Sequence, residues 1–313
     1  MKYIIKKLIT LIITLLFITL ITFTAFSVIP GDAAAARLGT NATPEQVEAL
    51  REEMGLNDPL PQRYVNWLQG AIRRDFGDSY QYDTSTVASL LADRLPVTAI
   101  LAVLSLVIIV VVSIPLGILS ARYAGKWLDT LINQLSQITM AVPAFFLGIL
   151  LTYIFGLILA WFQPGAFVDP SVSFWGCVSY LIFPAIAVAL PKIAMVVKFL
   201  RNSILSEMPK DYVCTAFSKG NREGRVLYVH ILRNALIPVI TFIAIVVAEI
   251  MAGSIIVEQV FGIPGMGQLL ITSISARDYP VVQAIVTYIT AIVVIVNFVV
   301  DILYRLVDPR VKA

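Results

Sequence analysis

Six apolar runs, separated by short polar connections, dominate the chain: Leu8–Ile29, Val97–Leu119, Gln137–Ala160, Val178–Val197, Leu236–Val257 and Pro280–Leu303. A helix needs about 20 predominantly apolar residues to cross a hydrocarbon core, and each run meets that length. One long polar interval, 30–96, follows the first run. A basic, helix-patterned stretch, DYVCTAFSKG followed by NREGRVLYVHILRNALIP, lies between the fourth and fifth. The pattern predicts an all-α fold, a polytopic membrane helical bundle with six transmembrane helices. Its expected parts are an N-terminal transmembrane helix at 1–29, an extracytoplasmic cap with short helices at 30–96, and a five-helix core at 97–313 holding a polar loop at about 201–235.

Inside the long interval, Thr43-Pro44-Glu45-Gln46 reads as an N-cap, a proline at the first helical position and a glutamine closing a capping box. Val47, Leu50 and Met54 then share a face, and Gly55 ends the helix. A second amphipathic helix is expected around Tyr64, Trp67, Leu68 and Ile72. No internal repeat or low-complexity segment is visible.

Lysine and arginine in short loops set the orientation. Lys2, Lys6 and Lys7 precede the first run, and Arg122 and Lys126 follow the second. Lys198, Arg201, Lys210, Lys219, Arg222, Arg225 and Arg233 follow the fourth, and Arg305, Arg310 and Lys312 end the chain. Loop 161–176 carries no such residue and loop 258–279 only Arg277. Both termini and the basic stretch are therefore expected in the cytoplasm. The start also resembles a signal peptide, with small residues at Ala33–Ala36. Its apolar run of about 22 residues exceeds the ~7–15 of such a segment, so a retained span is expected and cleavage is the alternative.

Composition agrees: 58% of the 313 residues are hydrophobic and 14% charged, against roughly a quarter charged in soluble domains. A net charge of +3 gives no reason to expect a nucleic-acid partner. Cys177 and Cys214 fall on opposite sides of the expected topology and form no disulfide framework. The single histidine, His230, excludes HExxH and histidine-based triads. The only Gly-Lys pair, Gly125-Lys126, lacks the rest of a phosphate loop. No enzyme activity, cofactor or metal is expected, and any ATP must be bound by another chain.

In the basic stretch, Pro209 suits a helix start, and Tyr212, Val213, Ala216 and Phe217 share one face. Gly220 suits the left-handed residue past a helix end, and Asn221 can cap a second helix leading into the fifth run. Such a helix, about 15 Å long, must lie against lipid headgroups, the protein's own spans or a partner. A solvated basic loop is the plainer alternative.

Tyr212–Ile240 resembles the cytoplasmic loop of permease subunits of binding-protein-dependent ABC importers, whose signature is EAA, three residues, Gly, nine residues and Ile-x-Leu-Pro. Cys214-Thr215-Ala216 stands at the EAA place and Gly220 and Leu232 match, while His230 and Arg233 replace Ile and Pro. The dipeptide, oligopeptide and nickel branch has its own form, TAxxKG followed by HxLRNALxPV. Thr215-Ala216, Lys219-Gly220, His230, Leu232–Leu236 and Pro238-Val239 fit it. The likeness extends to Pro30-Gly31-Asp32, Asp75-Phe76-Gly77 with Ser79, Arg94-Leu95-Pro96 with Thr98, and Val257-Glu258 with Val260-Phe261. Pro264-Gly265 with Gly267, Arg277–Pro280 and Asp301 with Asp308-Pro309-Arg310 match as well.

The resemblance implies a half-channel paired with a second homologous permease chain. Two cytoplasmic ATP-binding subunits and an extracytoplasmic substrate-binding protein complete the importer, which moves peptides or nickel by alternating access. The basic stretch is then a cytoplasmic coupling helix on the ATPase, with Tyr212, Thr215, Ala216, Lys219, Gly220, Leu232 and Asn234 as coupling residues. An ATP-independent secondary transporter or channel is the alternative, and a membrane anchor without transport a third reading.

Two acids are candidates for the translocation pathway. Glu249 lies mid-span, where a carboxylate usually faces the bundle interior or a water-filled path; a structural contact with the partner permease competes. Glu258 is expected at the outer end of the fifth span, within reach of solvent, with a structural tie to the next loop as the plainer role. Lys192 is expected to snorkel from the inner end of the fourth span. Gly262–Gly267 reads as a tight turn rather than a dinucleotide loop. His230 alone makes a poor metal site. Pro115, Pro143, Pro184 and Pro191 lie inside spans and are expected either to bend them around a pathway or merely to pack.

Overall fold

The computed structural model describes residues 2–28, 33–38, 42–82 and 85–307. Among them every element is helical. The sequence matches at Pro30-Gly31-Asp32 and Asp308-Pro309-Arg310, and the tail cation Lys312, lie outside the described residues. The chain forms two compact units, residues 1–98 with 264–295 and residues 99–263 with 296–313.

The first unit begins with α1 (Lys2–Val28), α2 (Ala33–Leu38), α3 (Pro44–Glu53) and α4 (Leu60–Ile72). The capping box forms as expected. The Gln46 amide donates to Thr43 Oγ1 at 3.3 Å and the Thr43 amide to Gln46 Oε1 at 2.9 Å, so two orphan donors are satisfied. Gly55, at φ +63°, takes the left-handed position after α3. Tyr64 and Trp67 of the expected face of α4 pack on α1, the Phe23 ring lying 5.5 Å from Tyr64 and 5.8 Å from Trp67, while Ile72 of that face is exposed. The Tyr64 hydroxyl donates to the Leu16 carbonyl at 3.1 Å.

This unit also joins sequence motifs distant along the chain. Asp278, fully buried, accepts from the amides of Tyr80 and Gln81 at 3.2 and 3.3 Å and from the Ser79 hydroxyl. The Met266 amide, at the start of α12 (Met266–Ser275), donates to Thr98 Oγ1 at 2.8 Å. That helix was not legible in loop 258–279, which reads only as a turn. Gly262 does make the turn, at φ +63°. The helix then buries Met266, Leu269, Leu270 and Ser273.

Two long helices have residues in both units, α5 (Val87–Arg122) and α13 (Tyr279–Val307). The second unit continues with α6 (Trp127–Ala141), α7 (Ala144–Leu151), a π-helical stretch at Thr152–Ile158, and α8 (Phe174–Glu207). Then come α9 (Asp211–Ser218), α10 (Glu223–Arg225), a second π-helical stretch at Val226–Ile231, and α11 (Leu232–Phe261). Helix α8 is the core of this unit, with buried residues from Cys177 to Ile204. Its Phe199 ring stacks on Phe242 of α11 at 4.4 Å. Gly117 admits Leu200 so closely that a Cβ there would meet the Leu200 side chain at 2.9 Å.

Among the described residues five helices are long and apolar enough to cross a membrane, and the third expected span is different. Gln137–Ala160 is not one straight helix. Val142 and Pro143 are extended, and α6 meets the helix beyond at 97°. Proline cannot donate the helical hydrogen bond, and it pushes the preceding residue into the β region. Val142 sits there, at φ −93° and ψ 123°.

The fourth span is longer than its apolar run. Helix α8 carries on through Lys198 to Glu207, about 51 Å in all at 1.5 Å per residue, so much of the expected polar loop is helical. Pro209 does not begin α9 but sits in the turn before it, where Lys210 is the N-cap. Asn221 does not cap the second helix either, since Arg222 precedes α10. Its side-chain amide instead donates to the Ala216 carbonyl at 2.9 Å and closes the end of α9.

Candidate functional site

Helix α9 turns Val213 and Ala216 inward, where both are buried, and packs against the π-helical stretch 226–231 with its buried Val226 and Leu227. Cys214, Thr215, Phe217, Ser218 and Lys219 are exposed on its other faces. Gly220 ends it at φ +76°, in open space. Its strict need is therefore conformational: a side chain would fit, but the left-handed backbone disfavours one. Tyr212 reaches back to α8, its hydroxyl donating to Glu207 Oε2 at 2.8 Å, while Lys210 donates to Glu207 Oε1 at 2.5 Å. The α8–α9 corner is thus closed by one carboxylate with two donors.

The expected coupling residues divide accordingly. Tyr212 and Ala216 hold the helix in place, and Thr215, Lys219 and Gly220 lie on its open surface. Leu232 and Asn234 are half-buried at the start of α11, where the Asn234 amide donates to the His230 carbonyl at 3.3 Å. Phe217, Tyr228 and Val229 add exposed apolar side chains to this polar end of the molecule. Among the described residues no group of three His, Cys, Asp or Glu could hold a metal ion.

Below the corner lies a cluster missed in the sequence. Asp129, only 4% exposed, receives the Arg201 guanidinium side-on, Nε to Oδ1 at 2.6 Å and Nη2 to Oδ2 at 2.7 Å. The Ser120 hydroxyl donates to the same carboxylate at 2.6 Å, the Gly125 amide at 2.9 Å and the Asn133 side chain at 2.7 Å. Arg201 reads in the sequence merely as one cation of a basic loop. The overlooked signal is an aspartate just inside a helix start, one turn before Asn133, between apolar runs.

The expectations for the charged residues of α8 and α11 are corrected individually. Lys192 does not snorkel: α8 extends fifteen residues beyond it, and its ammonium pairs with Glu249 of α11. The pair is partly open, with side chains 20% and 35% exposed. Ile245, Ala252 and Ile256, exposed on the same face of α11, flank Glu249. Glu258 is not within reach of solvent but fully buried at the end of α11, where its carbonyl accepts from the Ile263 amide at 2.8 Å. Nearby the Tyr180 hydroxyl donates to the Phe261 carbonyl at 2.7 Å and accepts from the Gly165 amide at 3.1 Å.

Residues 113–313 match the model of the binding-protein-dependent transport system inner membrane component family, and residues 1–102 match the model of its N-terminal region. The chain belongs to this family. The permease is 36% identical to the oligopeptide transport system permease protein AppB of Bacillus subtilis, over 99% of each chain. It is 34% identical to the probable peptide ABC transporter permease protein y4tP of Sinorhizobium fredii, again over 99% of each. A putative peptide transport system permease protein of Brucella abortus is 37% identical over 99% of the permease and 98% of that relative. The permease is a multi-pass membrane protein and a transport subunit rather than an enzyme.

Proposed function

We propose that this permease is one half of the membrane channel of a peptide importer and takes its power from separate ATPases through α9. The observation that carries the reading is α9 itself. It is a short helix outside the spans, buried on one side against its own chain and open on the other through Thr215, Phe217 and Lys219. A surface of mixed apolar and basic side chains at the end of a membrane bundle suits a protein partner. Relatives named for peptide or oligopeptide transport support the cargo class.

In this reading a second, similar permease chain completes the channel, two ATP-binding subunits dock on the α9 side and an extracytoplasmic binding protein supplies the peptide. The excess of lysine and arginine around α9 and at both chain ends supports a cytoplasmic position for all three. Glu249 is the pathway acid of the two candidates, because an ion pair in hydrocarbon is costly and a partly open one belongs on a face turned to protein or water. Glu258, enclosed, anchors the end of α11.

Gly220→Asp and Thr215→Arg test the docking surface. Both are expected to insert normally while ATPase co-purification and peptide uptake fall. Normal assembly and uptake in both variants would overturn the docking role.

A further inference from the structure

The Asp129 cluster is built for a purpose that the docking surface alone does not explain. Five donors from four places converge on one carboxylate: Ser120 near the end of α5, Gly125 in the turn that follows, Asn133 in α6, and two nitrogens of Arg201 in α8. Two parallel hydrogen bonds fix a guanidinium in orientation as well as position. Arg201 is thereby held in a defined place against the start of α6.

From Arg201 to the docking surface the chain has little slack. Helix α8 continues without a break to Glu207, six residues on. The Ser203 hydroxyl donates to the Ala235 carbonyl of α11 at 2.8 Å. Glu207 then takes both Lys210 and Tyr212, closing the corner into α9. Every joint between α9 and Asp129 is either continuous helix or a closed hydrogen bond.

We propose that the Asp129–Arg201 clasp locks the end of α5, the start of α6, the end of α8 and α9 into one rigid body, with Arg201 as the positioning residue that converts displacement of α9 into displacement of the spans. The inference rests on α9 being the ATPase-facing helix. Rigid-body transmission of this kind requires an element that moves as a unit instead of deforming locally. Asp129→Asn keeps the side chain's shape but removes the charge and replaces one acceptor oxygen with an NH2 group, so the guanidinium loses its second contact. Arg201→Lys keeps a charge but loses the two-point grip.

Two readouts test it in the assembled importer. Native Cys214 on α9 is exposed, while Cys177 is buried. A second cysteine from Trp127→Cys, at the exposed start of α6, gives a spin-label pair across the clasp. With the clasp intact, the label distance is expected to be the same in nucleotide-free and vanadate-trapped complexes. In Asp129→Asn it is expected to broaden and to change between the two states. Uptake of labelled tripeptides per ATP hydrolysed is expected to fall by about tenfold, within the range through which residues along a coupling route act, and by less in Arg201→Lys.

A distance that changes between states in the intact protein would overturn the proposal. So would Asp129→Asn with unchanged distances and normal uptake per ATP. Loss of insertion or of ATPase co-purification in both variants would assign the clasp to assembly and equally overturn it. The docking reading fails separately, on a Gly220→Asp complex that keeps its ATPase and its uptake.

Discussion

Two acid–base pairs in the second unit have opposite character. Asp129 and Arg201 sit in a closed network, with the carboxylate satisfied from α5, α6, α8 and the intervening turn. Lys192 and Glu249 join α8 to α11 by one contact and keep part of both side chains open. Burying a charge costs free energy that only good geometry and further hydrogen bonds recover. The first pair has both and can serve as a fixed joint. The second neutralises charge in the middle of the bundle while leaving each group able to change partner. The lesson is that an ion pair's role is read from what else its oxygens and nitrogens touch.

Removing one partner from each pair gives the largest expected contrast. Asp129→Ala leaves Arg201 uncompensated and is expected to cost about 3–5 kcal/mol, measured by SDS unfolding of the permease in mixed micelles. Lys192→Met is expected to cost under about 2 kcal/mol, because the open carboxylate of Glu249 can recover water. Equal losses would erase the distinction. Next in size is a change in cargo preference. Lys192→Met leaves a net negative face and is expected to favour basic over acidic peptides several-fold in competition uptake. Glu249→Gln is expected to shift preference the other way. Asp129→Asn is expected to slow all peptides alike. The smallest effect is at α9, where Asn221→Ala removes one closing hydrogen bond. It is expected to cost about 0.5–1 kcal/mol, seen as faster amide exchange at the end of α9 with the rest of the permease unaffected.

The apolar runs showed where helices lie but not where they stop. A span can end in apolar sequence and its helix continue, because helical hydrogen bonds do not depend on lipid; α8 does this from Lys198 to Glu207. The capping box at Thr43 was legible because both halves lie within four residues. The Asp129 clasp was not, since Arg201 is 72 residues away and nothing local marks it as a partner. Pro143 was visible as a bend, while the size of the bend depended on Val142 following it into extended backbone. Tyr212, Ala216 and Gly220 were legible as helix face and helix end. Glu258 was misjudged because sequence position gives depth along a helix but not which neighbours enclose the side chain.

The break at Pro143 also bears on a count. Near its start the bent segment touches Arg201 through Asp129, and near its end the Phe155 ring lies 5.1 Å from Phe183. Those two residues of α8 are eighteen apart, about 27 Å along the helix, close to the full depth of a hydrocarbon core. Measured along α8, the bent segment thus covers the depth that one passage needs. Counted as one span, it brings the candidate spans among the described residues to six. Six passages would return the chain to the side from which it set out, with α9 following the fourth. On that count a reporter fused to either end of the permease is expected to share a compartment with α9, and reporters in opposite compartments would exclude six passages.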